Sequence, residues 1–234
     1  MTVGEKITGM LHLVATPIGN LSDLSIRARD ALETCDLIAC EDTRVTKKLL
    51  DHLSLSKTLV SYREENEVRK TSELADLLEQ GKTIALVSDA GYPGISDPGF
   101  RMVRECRKRT IPVVPIPGPN AAITVLAASG LPTHQFLFLG FLPKKSAGAR
   151  KALIEWKDFG GSLILYEAKY RIEKTLGLIE KELGGERTVC VAREVTKLHE
   201  SFLVGTVTEI IKRNQAGSSK GEFTLVIAPE GYAL

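Results

Sequence analysis

The sequence has few of the residues that build metal or redox centres. Its four cysteines, Cys35, Cys40, Cys106 and Cys190, form no Cys-x-x-Cys pair, and its four histidines do not gather near them. The cysteines therefore read as free core thiols in a reduced, cytoplasmic protein, and no metal site is expected. Excess charge is also missing. Against 31 Lys+Arg stand 29 Asp+Glu, for a formal net charge of +2. Residues 1–117 hold 16 basic and 17 acidic residues, and residues 118–234 hold 15 and 12. So even a protein of this kind that meets nucleic acid must do so through local patches. No apolar run approaches the roughly 18 residues that span a bilayer, and no leader pattern opens the chain. No Gly-x-Gly-x-x-Gly follows the first strand, which excludes a dinucleotide fold of the Rossmann type. No internal repeat is visible.

What is present is an ordinary globular balance, 43% hydrophobic and 26% charged, in an alternation of short apolar runs and helix-like segments. Strands are expected at 11–15, 36–40, 58–61, 83–88 and 111–116, with helices at 26–34, 45–52, 67–80 and 100–109 between them. This predicts a mostly parallel sheet with helices on both faces. A small-residue helix at 120–129 leads to a second set. Its strands are expected at 136–139, 163–166, 189–193, 201–204 and 223–227, and its helices at 149–156, 172–183 and 207–214. Residues 188–204 read as strand–turn–strand, so the second sheet should be mixed. Two α/β domains follow, 1–127 and 128–234, with the boundary near Leu126–Gly130, where the Gly-Leu-Pro of 130–132 is the local punctuation. Residues 215–220 form one low-complexity stretch, read as a mobile loop.

The densest motif is Ser88-Asp-Ala-Gly-Tyr-Pro-Gly-Ile-Ser-Asp-Pro-Gly99. It sits at the carboxyl end of a strand and before a helix, where α/β proteins bind ligands. Its glycines admit a ligand close to backbone, and its prolines fix the loop. Asp89 and Asp97 either bond the loop's own amides or touch the ligand. Other strand ends carry Thr16-Pro17-Ile18-Gly19-Asn20, Glu41-Asp42-Thr43-Arg44 and Pro117-Gly118-Pro119-Asn120-Ala121-Ala122. Asp42 or Thr43 can cap the following helix, which would leave Glu41 and Arg44 for a substrate. The amides that open a helix near Asn120 attract polar or anionic groups. In the second half, Tyr166-Glu167-Ala168, Arg193-Glu194-Val195-Thr196-Lys197 and Lys220-Gly221-Glu222 flank strand ends. Lys144, Lys145, Arg150 and Lys151 form a basic cluster.

Five of these segments, in this order from about Leu11 to Pro229, resemble the tetrapyrrole-methylase-like superfamily, the class III methyltransferases that use S-adenosylmethionine. Glu41–Arg44 and Ala192–Lys197 are most similar to the branch that methylates a ribose 2′-hydroxyl of small-subunit ribosomal RNA. Tyr92 departs from the Thr or Met usual there, and Gly94 is a common variant. The resemblance implies a cofactor cleft between the two domains. It places S-adenosylmethionine on Pro17, Ser88, Asp89, Ala90, Gly91, Pro93, Ile95 and Asp97. It adds Pro117, Gly118, Asn120, Ala121 and Ala122, with Tyr166 and Ala192 from the second domain. RNA contacts are implied at Asn20, Glu41, Asp42, Thr43 and Arg44, and at Lys144, Lys145, Arg193, Lys197 and Lys220.

The implied reaction moves a methyl group to the ribose of a decoding-centre cytidine in 16S ribosomal RNA. A proton must then leave a poorly acidic hydroxyl. Glu167, Glu194 and Asp97 are the carboxylate candidates for it, and Lys197 serves only with a depressed pKa. On this reading Lys197→Ala and Glu167→Ala each lower turnover without unfolding the protein. The expected partners are the small ribosomal subunit and a second copy of the chain, with neither DNA nor membrane. Family members commonly continue into a small helical C-terminal domain, which is expected to be absent from a sequence ending at Leu234. Two alternatives stay open: a methylase of a porphyrin-like ring carbon, and a non-catalytic, cofactor-binding protein of the ribosome.

Overall fold

A computed structural model describes residues 8–215 and 221–234. The chain forms two compact units, Met1–Asn120 and Ala121–Leu234.

The first unit is a five-stranded sheet of β1 (Leu11–Val14), β2 (Leu37–Cys40), β3 (Thr58–Ser61), β4 (Ile84–Val87) and β5 (Val113–Ile116). The order is β3-β2-β4-β1-β5, and every neighbouring pair is parallel. Between the strands run α1 (Ile26–Thr34), α2 (Thr43–His52), α3 (Glu67–Glu79) and α4 (Phe100–Lys108). Strand residues alternate between two cores, as the period-two geometry of a strand requires. Ala85 and Val87 pack with Leu32, Leu49 and Leu50 of α1 and α2. Ile84 and Leu86 pack with Leu74, Leu78, Met102 and Cys106 of α3 and α4. Covered on both faces, the central strand β4 is apolar at every position and reads Ile-Ala-Leu-Val. The helices begin where the sequence offers caps. The Ser25 hydroxyl accepts from Ala28 N at 3.1 Å, and the Asp42 carboxylate accepts from Arg44 N at 2.8 Å. The Asp42 cap starts α2 at Thr43, two residues before the position expected from apolar spacing.

The chain leaves β2 toward the β3 edge and leaves β4 toward the β5 edge. Loops after these two adjacent strands therefore part from one another, and a crevice at the carboxyl ends results.

The second unit begins with α5 (Ala121–Ala128) and holds β6 (Phe136–Phe141), α6 (Ser146–Glu155), β7 (Ser162–Ala168), α7 (Ile172–Leu183), β8 (Thr188–Arg193), β9 (Ser201–Thr206), α8 (Val207–Gln215) and β10 (Glu222–Ile227). Its sheet runs β6-β7-β10-β8-β9. The β6–β7 pair is parallel and the others are antiparallel, so the sheet is mixed as expected. Leu163, Leu165, Val189, Val191, Phe223, Leu225 and Ile227 form one face, under Leu153, Leu176, Ile179 and Ile210 of the three later helices. α5 packs on β10 and β7. This packing makes α5 part of the second unit, so the division falls before it, at Asn120, and not after it at residue 127. Of the expected loop at 215–220, Gln215 ends α8, and the rest, Lys220 included, lies outside the described residues.

Candidate active site

In the first unit, hydrogen bonds stitch three strand-end loops together. Thr16 N donates to Gly91 O at 2.9 Å and Gly91 N to Thr16 O at 3.0 Å. The Thr16 hydroxyl donates to Ser88 O at 3.1 Å. Asp42 N donates to Asp89 Oδ1 at 3.0 Å, across the crevice between the β2 and β4 loops. Asp89 thus holds the neighbouring loop, where the sequence left open the loop's own amides or the ligand. The Ser88 hydroxyl lies 3.2 Å from Ala90 O and 3.3 Å from Gly91 O. Ile95 N to Tyr92 O and Gly94 N to Pro98 O close the loop on itself. Gly99, at φ 150°, passes so near that a Cβ would lie 2.9 Å from Gly94 N, so no side chain is tolerated there. A pocket of about 180 Å³ opens here, lined by Thr16, Pro17, Ser88 and Asp89 with Leu21, Val45 and Lys48. Pro93 is buried, while Ala90, Ile95, Pro117 and Gly118 are exposed, and Asn120 ends the same edge. Asn20 accepts from Ser22 N and starts a short 3-10 turn, Leu21–Asp23.

The electrostatics of this edge are acidic. Burial, reinforced by the charge of Asp89, pushes the Asp97 carboxyl up to about 6 against a hydrogen bond from Ser88. Burial and then the charges of Asp97, Asp89 and Glu65 raise Glu41. Lys48 lines the pocket, and two other nearby cations are engaged within the edge. Arg44 donates from Nε and Nη2 to the Asp42 carboxylate, and these bonds hold Asp42 well below the usual carboxylate range. The pair lies at the surface, and with its side chain 86% exposed Arg44 stays within reach of a substrate. Arg63 Nε donates to the Glu41 carbonyl at 3.0 Å. A ligand bringing positive charge would favour the ionised forms of Asp97 and Glu41.

In the second unit, Tyr166, Thr224 and Ala192 lie side by side across β7, β10 and β8. The Tyr166 ring stands edge-on to Phe138 and Phe141, with centroids 5.0 and 5.6 Å away. Its hydroxyl accepts from Ala122 N at 3.2 Å, so one of the amides opening α5 beside Ala121 is already used. Sequence reading named Tyr166 and Ala192 and missed Thr224, whose polar side chain interrupts the apolar strand Phe-Thr-Leu-Val-Ile.

Two proposed bases change character. Glu167 is 2% exposed. Its carboxylate accepts from Ala168 N at 2.8 Å and from the Thr175 hydroxyl at 2.6 Å, with Arg171 Nε at 3.4 Å. It is an anchor between β7 and α7, and not the cleft residue its charge suggested. Lys197 donates to Glu194 Oε1 at 3.0 Å and Glu222 Oε2 at 2.9 Å. Burial alone would lower its pKa, but these bonds prevail and raise it. The depressed value a basic lysine requires is therefore contradicted. Burial would raise Glu194, but Glu222 N and then Lys197 outweigh it and keep it ionised. Both sit in a turn with Glu194 at φ 51° and Thr196 at φ 66°, each costing about 1–2 kcal/mol for a residue with a side chain. Lys144 and Lys145 are exposed, and Arg150 is paired with Glu182. Among the described residues, no group of histidine, cysteine or carboxylate side chains could hold a metal ion, and the four cysteines are free and buried.

A family model for tetrapyrrole (corrin/porphyrin) methylases matches residues 10–211. The chain belongs to this family. Proteins named ribosomal RNA small subunit methyltransferase I are similar over nearly all of it. That of Halalkalibacterium halodurans is 49% identical, over 95% of this chain and 77% of the relative. That of Synechocystis is 48% identical, over 94% and 79%. That of Bacillus subtilis is 44% identical, over 96% and 76%. Among solved structures, the methyltransferase CobJ superposes with a TM-score of 0.71 at 15% identity, covering 97% of each chain. Uroporphyrin-III-C-methyltransferase from Thermus thermophilus gives 0.62 at 20% identity, covering 94% of each. Such identities establish the methylase fold. The family uses S-adenosylmethionine, and the acidic, backbone-rich edge built by Ser88–Gly99 suits a molecule with a cationic sulfonium and an ammonium.

Proposed function

We propose that this methylase transfers a methyl group from S-adenosylmethionine to a ribose 2′-hydroxyl of small-subunit ribosomal RNA, at a decoding-centre cytidine. The similarity to the ribosomal RNA small subunit methyltransferase I proteins, 42–49% identical across most of the chain, carries the choice of substrate. The chemistry of the β4 loop supports the cofactor. Bound there, S-adenosylmethionine supplies a methyl group already activated on a sulfonium. Ser88, Asp89 and Gly91 would hold its polar end, and Asp97 and Glu41 would favour its positive charge. The stitched loops keep those groups fixed, so alignment is settled before substrate arrives.

The 2′-oxygen gains a bond to the methyl carbon as the carbon–sulfur bond breaks, and its proton must leave. Asp97 is the proton acceptor. Glu167 has its carboxylate filled, Glu194 is held by two donors, and Lys197 stays charged. A carboxylate lifted to about 6 is a better base than an ordinary aspartate and is still ionised at neutral pH. RNA is met by Lys144, Lys145 and Arg193, in a cytoplasmic protein that acts as a homodimer. Incubation with methyl-labelled cofactor, small ribosomal subunits and a porphyrin-like macrocycle in parallel tests the reading. Label in RNA supports it, and label in the macrocycle alone overturns it.

A further inference from the structure

Three of the chain's seven phenylalanines, Phe136, Phe138 and Phe141, fall within the six residues of β6. Strict alternation would put the third on the opposite face from the other two. The pairing with β7 prevents this. Its register runs from Phe138 opposite Ile164 to Gly140 opposite Leu165 and Phe141 opposite Tyr166, with a shift between Phe138 and Gly140. Gly140 takes φ 62° there. A bulge is uncommon in a parallel pair, and it re-aims the side chains beyond it. So Leu137 and Leu139 face the helix-covered core, while Phe141 joins Phe138 around the Tyr166 ring on the other face. Phe141 nevertheless stays 55% exposed.

Because β6 and β7 are parallel, the loops that follow them leave from the same end. Arg171 ties these loops together. Its Nη2 donates to Leu142 O at 3.0 Å and to Pro143 O at 3.2 Å. Its backbone N donates to Ala168 O at 2.9 Å and closes the turn that carries Lys169 and Tyr170. Tyr170 is 80% exposed. Lys144, Lys145 and Lys169 are exposed as well, and none of them makes an ion pair among the described residues. The joined loops thus present two open rings and three unspent cations. A polyanion answers the cations, and the rings decide which polyanion. A single RNA strand brings a phosphate and a flat base at every step, and rings interleaved with a basic track hold such strands whatever their sequence.

We propose that Phe141 and Tyr170 stack on bases of a single-stranded RNA segment whose phosphates meet Lys144, Lys145 and Lys169. This rests on the RNA-methylation reading above and names the way the second unit grips its RNA. The lysines supply attraction that salt screens. The rings supply a contact that salt leaves in place and that requires unpaired bases.

The test uses the full chain, a labelled single-stranded oligoribonucleotide of about ten nucleotides and its abasic counterpart. Fluorescence anisotropy should show wild type binding the base-bearing strand roughly a hundredfold more tightly than the abasic one, as two stacked bases allow. Tyr170→Ala and Phe141→Ala should each weaken the base-bearing strand roughly tenfold and leave the abasic strand unchanged. Phe141→Trp should bind as wild type does. Lys144→Ala combined with Lys145→Ala should weaken both strands alike. Tyr170→Ala should melt as wild type, since its side chain stands in water. Phe141→Ala also gives up the edge contact to Tyr166 and should melt slightly lower. Both should raise KM for small subunits with an unchanged KM for S-adenosylmethionine. Ring variants that bind both strands as wild type does, or that weaken both strands equally, overturn the stacking. So does a Tyr170→Ala or Phe141→Ala variant that sediments as a smaller species, which would give the rings to a second copy. A wild-type chain that shows the preference for bases yet methylates no ribosomal RNA refutes the methylation reading alone.

Discussion

In the proposed reaction, Asp97 is the residue on which the chemistry turns. Its carboxyl is lifted to about 6 by burial and by Asp89, so the free enzyme should lose kcat/KM as pH falls through that value and Asp97 takes up a proton. Asp97→Asn should lower kcat by about 10²-fold, within the range usual for a lost general base. The same shift acts on stability. A carboxyl whose folded pKa is raised favours the folded state fully below its unfolded value and loses that favour as pH rises through the folded one. Asp97→Asn should therefore raise the melting temperature at pH 8 and leave it nearly unchanged at pH 4. A variant inactive through misfolding would melt lower at both. Asp97 could be named from sequence because its loop is a local motif. Lys197 could not be judged so, since the Glu222 that holds it charged lies 25 residues away.

At the scale of elements, the alternation of strands and helices was legible because its signals are local: apolar runs, Ser and Asp caps, and glycines at helix ends. Which face a residue takes in a strand buried on both sides was not. In Ser-Leu-Ile-Leu-Tyr-Glu-Ala no apolar–polar alternation reveals that Leu163, Leu165 and Glu167 point into the helix-covered core. Charge suggested a cleft, and parity put Glu167 in the interior as the link from β7 to α7. Glu167→Ala should then cost on the order of 3 kcal/mol, the scale for breaking a buried ion pair from one side, while Glu167→Gln costs less. Urea unfolding measures both. Unchanged stability in Glu167→Ala, together with reduced turnover, would return Glu167 to the chemistry and refute its role as an anchor.

The molecule as a whole, at net charge +2, cannot attract RNA by bulk charge, so individual exposed cations must matter. Lys144 and Lys145 sit before α6, and the nearby Arg150 is already paired. Replacing both lysines by alanine should raise KM for small subunits several-fold. It should also flatten the dependence of log KM on log salt by about one unit for each phosphate that the lysines neutralise. An unchanged salt dependence would remove them from the RNA surface. Division into two α/β units was also legible, but its position was not. α5 looks like the last helix of the first unit in sequence, and only its packing on β7 and β10 assigns it to the second.

The most direct measurement follows one methyl group. Small ribosomal subunits lacking the ribose mark are incubated with methyl-labelled S-adenosylmethionine and either wild type or Asp97→Asn, and mass spectrometry of the digested RNA locates the label. Label on the 2′-oxygen of one decoding-centre cytidine, formed by wild type and about a hundredfold more slowly by the variant, is the predicted result. Label on a base carbon, or equal rates from the two proteins, would contradict it.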